Sequence, residues 1–272
     1  TVTASGGVAT FSTTQGVNID LVGAKTISAW KSDESGGSGV GILSVNSNAF
    51  DIIHAPASKL VFSTQPANNT VAGTDLTPVI QIRDAFDNVI TDNDDATADI
   101  TLSLADGSGT FGGTLTVSAV AGIATFSATQ GANIDLVGAK TIAAWKSDES
   151  GTDGVGVLSQ NSNAFTIINA DASQLVFTTQ PANNTVAGTA LTPIIQIRDT
   201  FGNPVTVGDD ATADLTLSLA AGSGTLGGTL TKTASGGTVS FTATEGANID
   251  LVGAKTIAVW KSDESGGTGV GV

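Results

Sequence analysis

Ala139-Lys140-Thr141-Ile142-Ala143-Ala144-Trp145 recurs as Ala24-Lys25-Thr26-Ile27-Ser28-Ala29-Trp30 and again as Ala254-Lys255-Thr256-Ile257-Ala258-Val259-Trp260, at an interval of 115 residues each time. Inside the segment the side chains change character at every second position, and β-branched Thr and Ile interrupt any helical spacing. A period of two sends Lys140, Ile142 and Ala144 to one face and Thr141, Ala143 and Trp145 to the other. That is a strand with one buried face. Its threefold recurrence makes the chain a tandem array rather than one large domain.

The same interval separates Phe11, Phe126 and Phe241, and it separates Gln65 from Gln180. Aligned without gaps, residues 1–56 match residues 116–171 at 42 of 56 positions, so the copies are near-duplicates with little room for divergent loops. The chain therefore divides into 1–56, the C-terminal half of a repeat; 57–171, a complete repeat; and 172–272, a repeat lacking its last strand. A unit of 115 residues is far longer than the roughly 20 to 50 residues of solenoids and propellers, and suits beads that fold independently. Thr1 falls inside a repeat, which is the expectation for a processed chain or an interior piece of a longer one.

Working outward from the recurring strand, Leu60-Val61-Phe62, Val79 to Arg83, Ile100 to Leu104, Leu115 to Val117, Ile123 to Phe126 and Ala164 to Ile167 all read as short strands between Gly, Asn, Asp and Pro breaks. The glycines of Gly107 to Gly113 read as hairpin turns needing positive φ, without the Lys and helix of a phosphate loop. The count is about seven to nine strands per copy, with helix almost absent. Ile80, Ile82, Leu102, Leu104, Phe126, Ile142, Phe165 and Ile167 form the expected inward set, with Ile195, Ile197, Leu217, Leu219, Phe241 and Ile257 as their copies. The expected fold class is all-β, as tandem immunoglobulin-like β-sandwich repeats of 115 residues, although the Cys-Trp-Cys core of antibody domains is missing.

Four stretches carry a resemblance: Leu175-Val176-Phe177-Thr178-Thr179-Gln180-Pro181, Ile197-Arg198-Asp199-Thr200-Phe201-Gly202-Asn203-Pro204, Gly222-Ser223-Gly224-Thr225-Leu226-Gly227-Gly228-Thr229, and Asn163-Ala164-Phe165-Thr166-Ile167. The chain resembles, over its whole length, the bacterial immunoglobulin-like repeats of large cell-surface proteins, close to the invasin and intimin type. The resemblance implies an extracellular stalk that holds something else away from a cell. The expected function is a non-enzymatic structural spacer or fibre shaft of a secreted prokaryotic surface protein. Two rivals are a subunit of a self-assembling filament or surface layer joined by strand exchange, and an adhesin module binding sugar or a receptor protein.

Composition excludes several classes. There is no Cys, so disulfides and thiolate metal sites are out. A formal net charge of -15 repels nucleic acid and anionic lipid headgroups. No apolar run approaches the roughly 20 residues of a membrane helix, so no membrane insertion is expected of this segment. The remaining partners are neighbouring repeats or copies of the same protein.

Chemistry is thinly supplied. The single histidine, His54, becomes Asn169 in the next copy and reads as a solvated linker residue. No catalytic residue is assigned, and no cofactor is expected. Calcium is the minor candidate, on Asp84, Asp87, Asp92, Asp94 and Asp95, though Asp87 becomes Gly202 and Asp92 becomes Val207. Turn chemistry explains the same acids without a cation. Lys25, Lys140 and Lys255 aim at the core by alternation, so each either snorkels or forms an isopeptide bond with an Asn such as Asn48 or Asn163. Asn68-Asn69-Thr70 and Asn183-Asn184-Thr185 are glycosylation sequons. Trp30, Trp145, Trp260 and Phe50 are the interface candidates; outward-facing Trp145 is expected to pack under the Ser147 to Gly151 loop or against another repeat or chain.

Overall fold

The computed structural model describes residues 1–31, 44–146 and 159–261. The chain is all-β: its described helical turns are three short 3-10 segments, Thr13–Gln15, Asp94–Thr97 and Asp209–Thr212.

In the second repeat two sheets face each other. One has the order Ile123–Thr125, Val79–Arg83, Lys59–Thr64, all antiparallel. The other is built on Asp99–Asp106 and Gly138–Lys146. Thr116–Ser118 extends that sheet on one side. On the other side, Phe165–Ile168 pairs with the start of Gly138–Lys146, and Ser159–Asn161 pairs with its end. Thr70–Val71 then lies parallel to Phe165–Ile168.

Alternation fills the space between the sheets. Leu60, Phe62, Ile80, Ile82 and Ala124 meet Ile100, Leu102, Ile142, Ala144, Phe165 and Ile167 in one core closed by Phe126. Of the expected inward set only Leu104 is half-buried, because it lies near the end of its strand. The third repeat copies both sheets and packs Ile195, Ile197, Leu215, Leu217, Val239 and Phe241, while Ile257 and Leu219 are half-buried. The glycine-rich turn behaves as expected: at Gly113, with φ 90°, a Cβ would stand 2.2 Å from the Gly131 carbonyl oxygen, so no other residue fits.

Among its described residues the first segment carries the strand pairs Gly23–Lys25 with Phe50–Ile52 and Ser28–Trp30 with Ser44–Asn46, beside the isolated bridge of Ser5 to Val8. Phe11 is accordingly 56% exposed where Phe126 and Phe241 are 1% exposed, since no opposing sheet covers it. In the third repeat Gln180, Asn183, Val186, Leu191, Lys255 and Ile257 line a groove of about 840 Å³.

Candidate functional site at the joint between repeats

A buried polar network lies where one repeat meets the next, and it is built twice. Strand Ile194–Asp199 ends in a tight turn, Asp199 to Asn203, with Gly202 at φ 83°. Asp199 is fully buried and caps this turn: its Oδ1 accepts the N–H groups of Phe201 (2.9 Å) and Asn203 (2.8 Å). Its Oδ2 accepts the side-chain amide of Asn203 (2.9 Å) and the N–H of Ala170 in the linker from the second repeat (3.0 Å). A carboxylate at a turn ordinarily does the first of these jobs. Holding the linker is the additional one.

Asn203, 1% exposed, then reaches across to the preceding repeat. Its Nδ2 donates to the Asp135 carbonyl (2.8 Å), and its Oδ1 accepts from the Val137 N–H (3.2 Å). The Val137 carbonyl in turn accepts from the Lys140 ammonium (3.1 Å). Lys140, Val137, Asn203, Asp199 and Ala170 thus form one hydrogen-bonded circuit through two repeats and the linker between them.

The first joint repeats the circuit with the same atoms. Asp84 accepts from Phe86 N–H, Asn88 N–H, Asn88 Nδ2 and the linker Ala55 N–H, at 2.9–3.0 Å. Asn88 donates to the Asp20 carbonyl (2.7 Å) and accepts from Val22 N–H (3.2 Å), and Lys25 donates to the Val22 carbonyl (2.8 Å). Burial pushes the Asp84 carboxyl up, but the bonds from Asn88, Ala55 and Phe86 outweigh it and hold its pKa at about 2. At the second joint Phe201 also packs onto Gly73 of the preceding repeat, so closely that a Cβ there would stand 2.3 Å from its ring; Phe86 holds the equivalent turn position at the first joint.

The sequence expectations fare unevenly. The five proposed calcium ligands do not converge: Asp84 is spent as above, Asp87 pairs with Lys59 and Arg83, Asp92 with His54, Asp95 with Lys146, and Asp94 opens a 3-10 turn. Among the described residues no three His, Cys, Asp or Glu side chains gather as a cation site. The change of Asp87 to Gly202 reflects backbone, since both positions have a φ in the left-handed region. His54 is corrected: its side chain is 7% exposed and bonded at the joint, not a solvated linker residue. Lys140 is buried as alternation required, its stem against Gly107 and its ammonium on the Val137 carbonyl, while the Asn163 N–H bonds the Gln65 side chain.

Trp145 does face away from the core, flanked across the sheet by Thr101 and Ser159, and its indole N–H is buried without a partner among the described residues. The Ser147 to Gly151 loop expected over it lies outside the described residues. Trp260 is half-buried, and Trp30 is 47% exposed. Phe50 is 37% exposed where its copy Phe165 is 3%, again for want of an opposing sheet. Sequence reasoning missed the joint although a signal existed: Asp84 and Asn88 persist as Asp199 and Asn203 while the acids around them change.

The sequence matches no protein-family model and no curated protein. Among solved structures it is similar to the FdeC adhesin of Escherichia coli, at 14% identity and a TM-score of 0.34, over 69% of this chain and 60% of that one. It is also similar to a β-glycosidase from Bacteroides vulgatus (12% identity, TM-score 0.27) and to β-glucuronidase 3 from Bacteroides uniformis (11%, 0.25). These matches span 76% and 75% of this chain but only 24% and 23% of those enzymes. Likeness this distant carries no argument about activity. Among the described residues no helix is long and apolar enough to cross a membrane.

Proposed function

We propose that this chain is a non-enzymatic spacer, a shaft segment of a secreted prokaryotic cell-surface protein, in which immunoglobulin-like sandwiches are held in line by a repeated joint. The observation that carries the reading is the duplicated circuit: the same buried Asp and Asn bind the same backbone groups of the preceding repeat at both junctions. A flexible string needs no such groups, and burying them costs stability unless every partner is met. The same bonds at both joints tie each repeat to the preceding one through the same backbone groups. Strands of up to nine residues give each sandwich a length of roughly 30 Å, so added copies extend reach.

The polar chemistry supports a structural role without cofactor. The one histidine is bonded to Asp92 and to the Ala55 carbonyl, and the buried acids are committed to turns and linkers. A net charge of -15 keeps such a shaft soluble. The partners are neighbouring repeats or further copies of the protein. Small-angle scattering on the chain and on the Asn88→Ala/Asn203→Ala double variant tests the reading. A narrow, elongated distance distribution that broadens in the variant is expected; free swivelling of the unaltered chain would sink it.

A further inference from the structure

The two joints share one circuit but differ at one coupled pair of positions. Where the second joint has Asn169 and Val207, the first has His54 and Asp92. Asn169 ties the linker to the following loop without a proton: its Oδ1 accepts from the N–H groups of Thr206 (2.9 Å) and Val207 (3.0 Å), and its Nδ2 donates to the carbonyls of Ala170 (3.0 Å) and Val207 (3.2 Å). His54 makes the same tie through its ring. Nδ1 lies 2.9 Å from the Ala55 carbonyl oxygen and Nε2 2.6 Å from Asp92 Oδ1.

Both ring nitrogens therefore face acceptors. A neutral imidazole has one N–H and one lone pair, so in either tautomer one nitrogen would direct a lone pair at an oxygen. Only the imidazolium satisfies both contacts. We propose that the first joint is a proton-responsive one, closed by a doubly protonated His54 and loosened when that proton leaves, whereas the second, with Asn169 in the same place, has no such proton to lose.

The groups acting on the ring support the sign. The bond to the Ala55 carbonyl favours the charged form most, burial opposes it, and Asp92 from the following loop and Asp84 at the end of Val79–Arg83 add attraction, so the net shift is above the ordinary 6.5. The neighbouring cations Lys59 and Arg83 are engaged by Asp87. For a group with a raised folded-state pKa, the stabilisation is complete below 6.5 and disappears as pH rises through the elevated value. Mild alkali should loosen the first joint at its His54 tie, with the Asp84 and Asn88 circuit still made, and leave the second unchanged.

The chain has one histidine, so its ring resonances report this site without ambiguity. Proton titration by NMR should show His54 ionising above 6.5. Amide exchange supplies an internal control, because Ala55 and Ala170 are equivalent linker donors to Asp84 and Asp199. Corrected for intrinsic rates, the protection of Ala55 should fall at least about threefold relative to Ala170 between pH 6 and pH 9. In the His54→Asn/Asp92→Val variant, which writes the second joint into the first, that ratio should be flat. A ring that titrates at or below 6.5, a constant Ala55 to Ala170 ratio in the unaltered chain, or a ratio that still falls in the double variant would overturn the proposal.

Discussion

Asn203→Asp replaces one NH₂ group by an oxygen and leaves the shape of the side chain unchanged. In the present structure that NH₂ donates to the Asp135 carbonyl at 2.8 Å and to Asp199 Oδ2 at 2.9 Å, while the Asn203 oxygen accepts from Val137. The substitution keeps the acceptor and deletes both donations. The bond to a neutral carbonyl contributes about 0.5 to 1.5 kcal/mol and the bond to a carboxylate about 1.5 to 3 kcal/mol. The loss is therefore about 2 to 4.5 kcal/mol before repulsion is counted, and the new carboxylate sits 1% exposed against Asp199. Urea unfolding followed by Trp260 fluorescence in a Trp30→Phe/Trp145→Phe background reads the stability of the third repeat, and amide exchange at Val137 reads the joint. The variant should lose that free energy, and Val137 should exchange faster. Lowering the pH toward 4 should recover part of the loss as the new carboxyl takes up a proton and donates again. A loss under about 1 kcal/mol with Val137 still protected would mean that the circuit does not hold the repeats together.

The remaining predictions concern single positions. Phe126→Ala should destabilise the second repeat by about 3 to 5 kcal/mol, since the ring is 1% exposed at the centre of the core; a loss under about 1 kcal/mol would contradict its placement. Gly73→Ala puts a methyl into the Phe201 ring and strains a φ of 76°, so exchange protection at Val137 should drop while the cores of both repeats keep theirs; unchanged protection would remove the Phe201 contact from the joint. Glu245 is held at about 2 by Lys232 and then by Thr242, so the third repeat should keep this contribution above pH 4.5 and lose it as pH falls toward 2. Glu245→Gln, which copies Gln130 of the second repeat, should flatten that acid dependence in a urea series.

Recurrence of the same segments determined the 115-residue period, and alternation the strands and their inward faces, because side-chain direction in an extended chain is local and repeats every two residues. Phe126, Ile142 and Ile80 could be placed in a core without knowing which strands pair. It also put Lys140 on the inward face and Trp145 on the outward one. What alternation could not supply was the joint. Asp199 and Asn203 have the look of any turn acid and amide, and their partners are the backbone groups of Ala170, Asp135 and Val137, which any residue would have offered. His54 was misjudged for the same reason: its burial comes from the docking of a linker against a loop 38 residues further on, not from its own neighbours in the chain. Side-chain periodicity leaves a trace in sequence, but a hydrogen bond to a main-chain carbonyl leaves none on the accepting side. Only the packing of one repeat on the next decided which of these acids and amides bind across the junction.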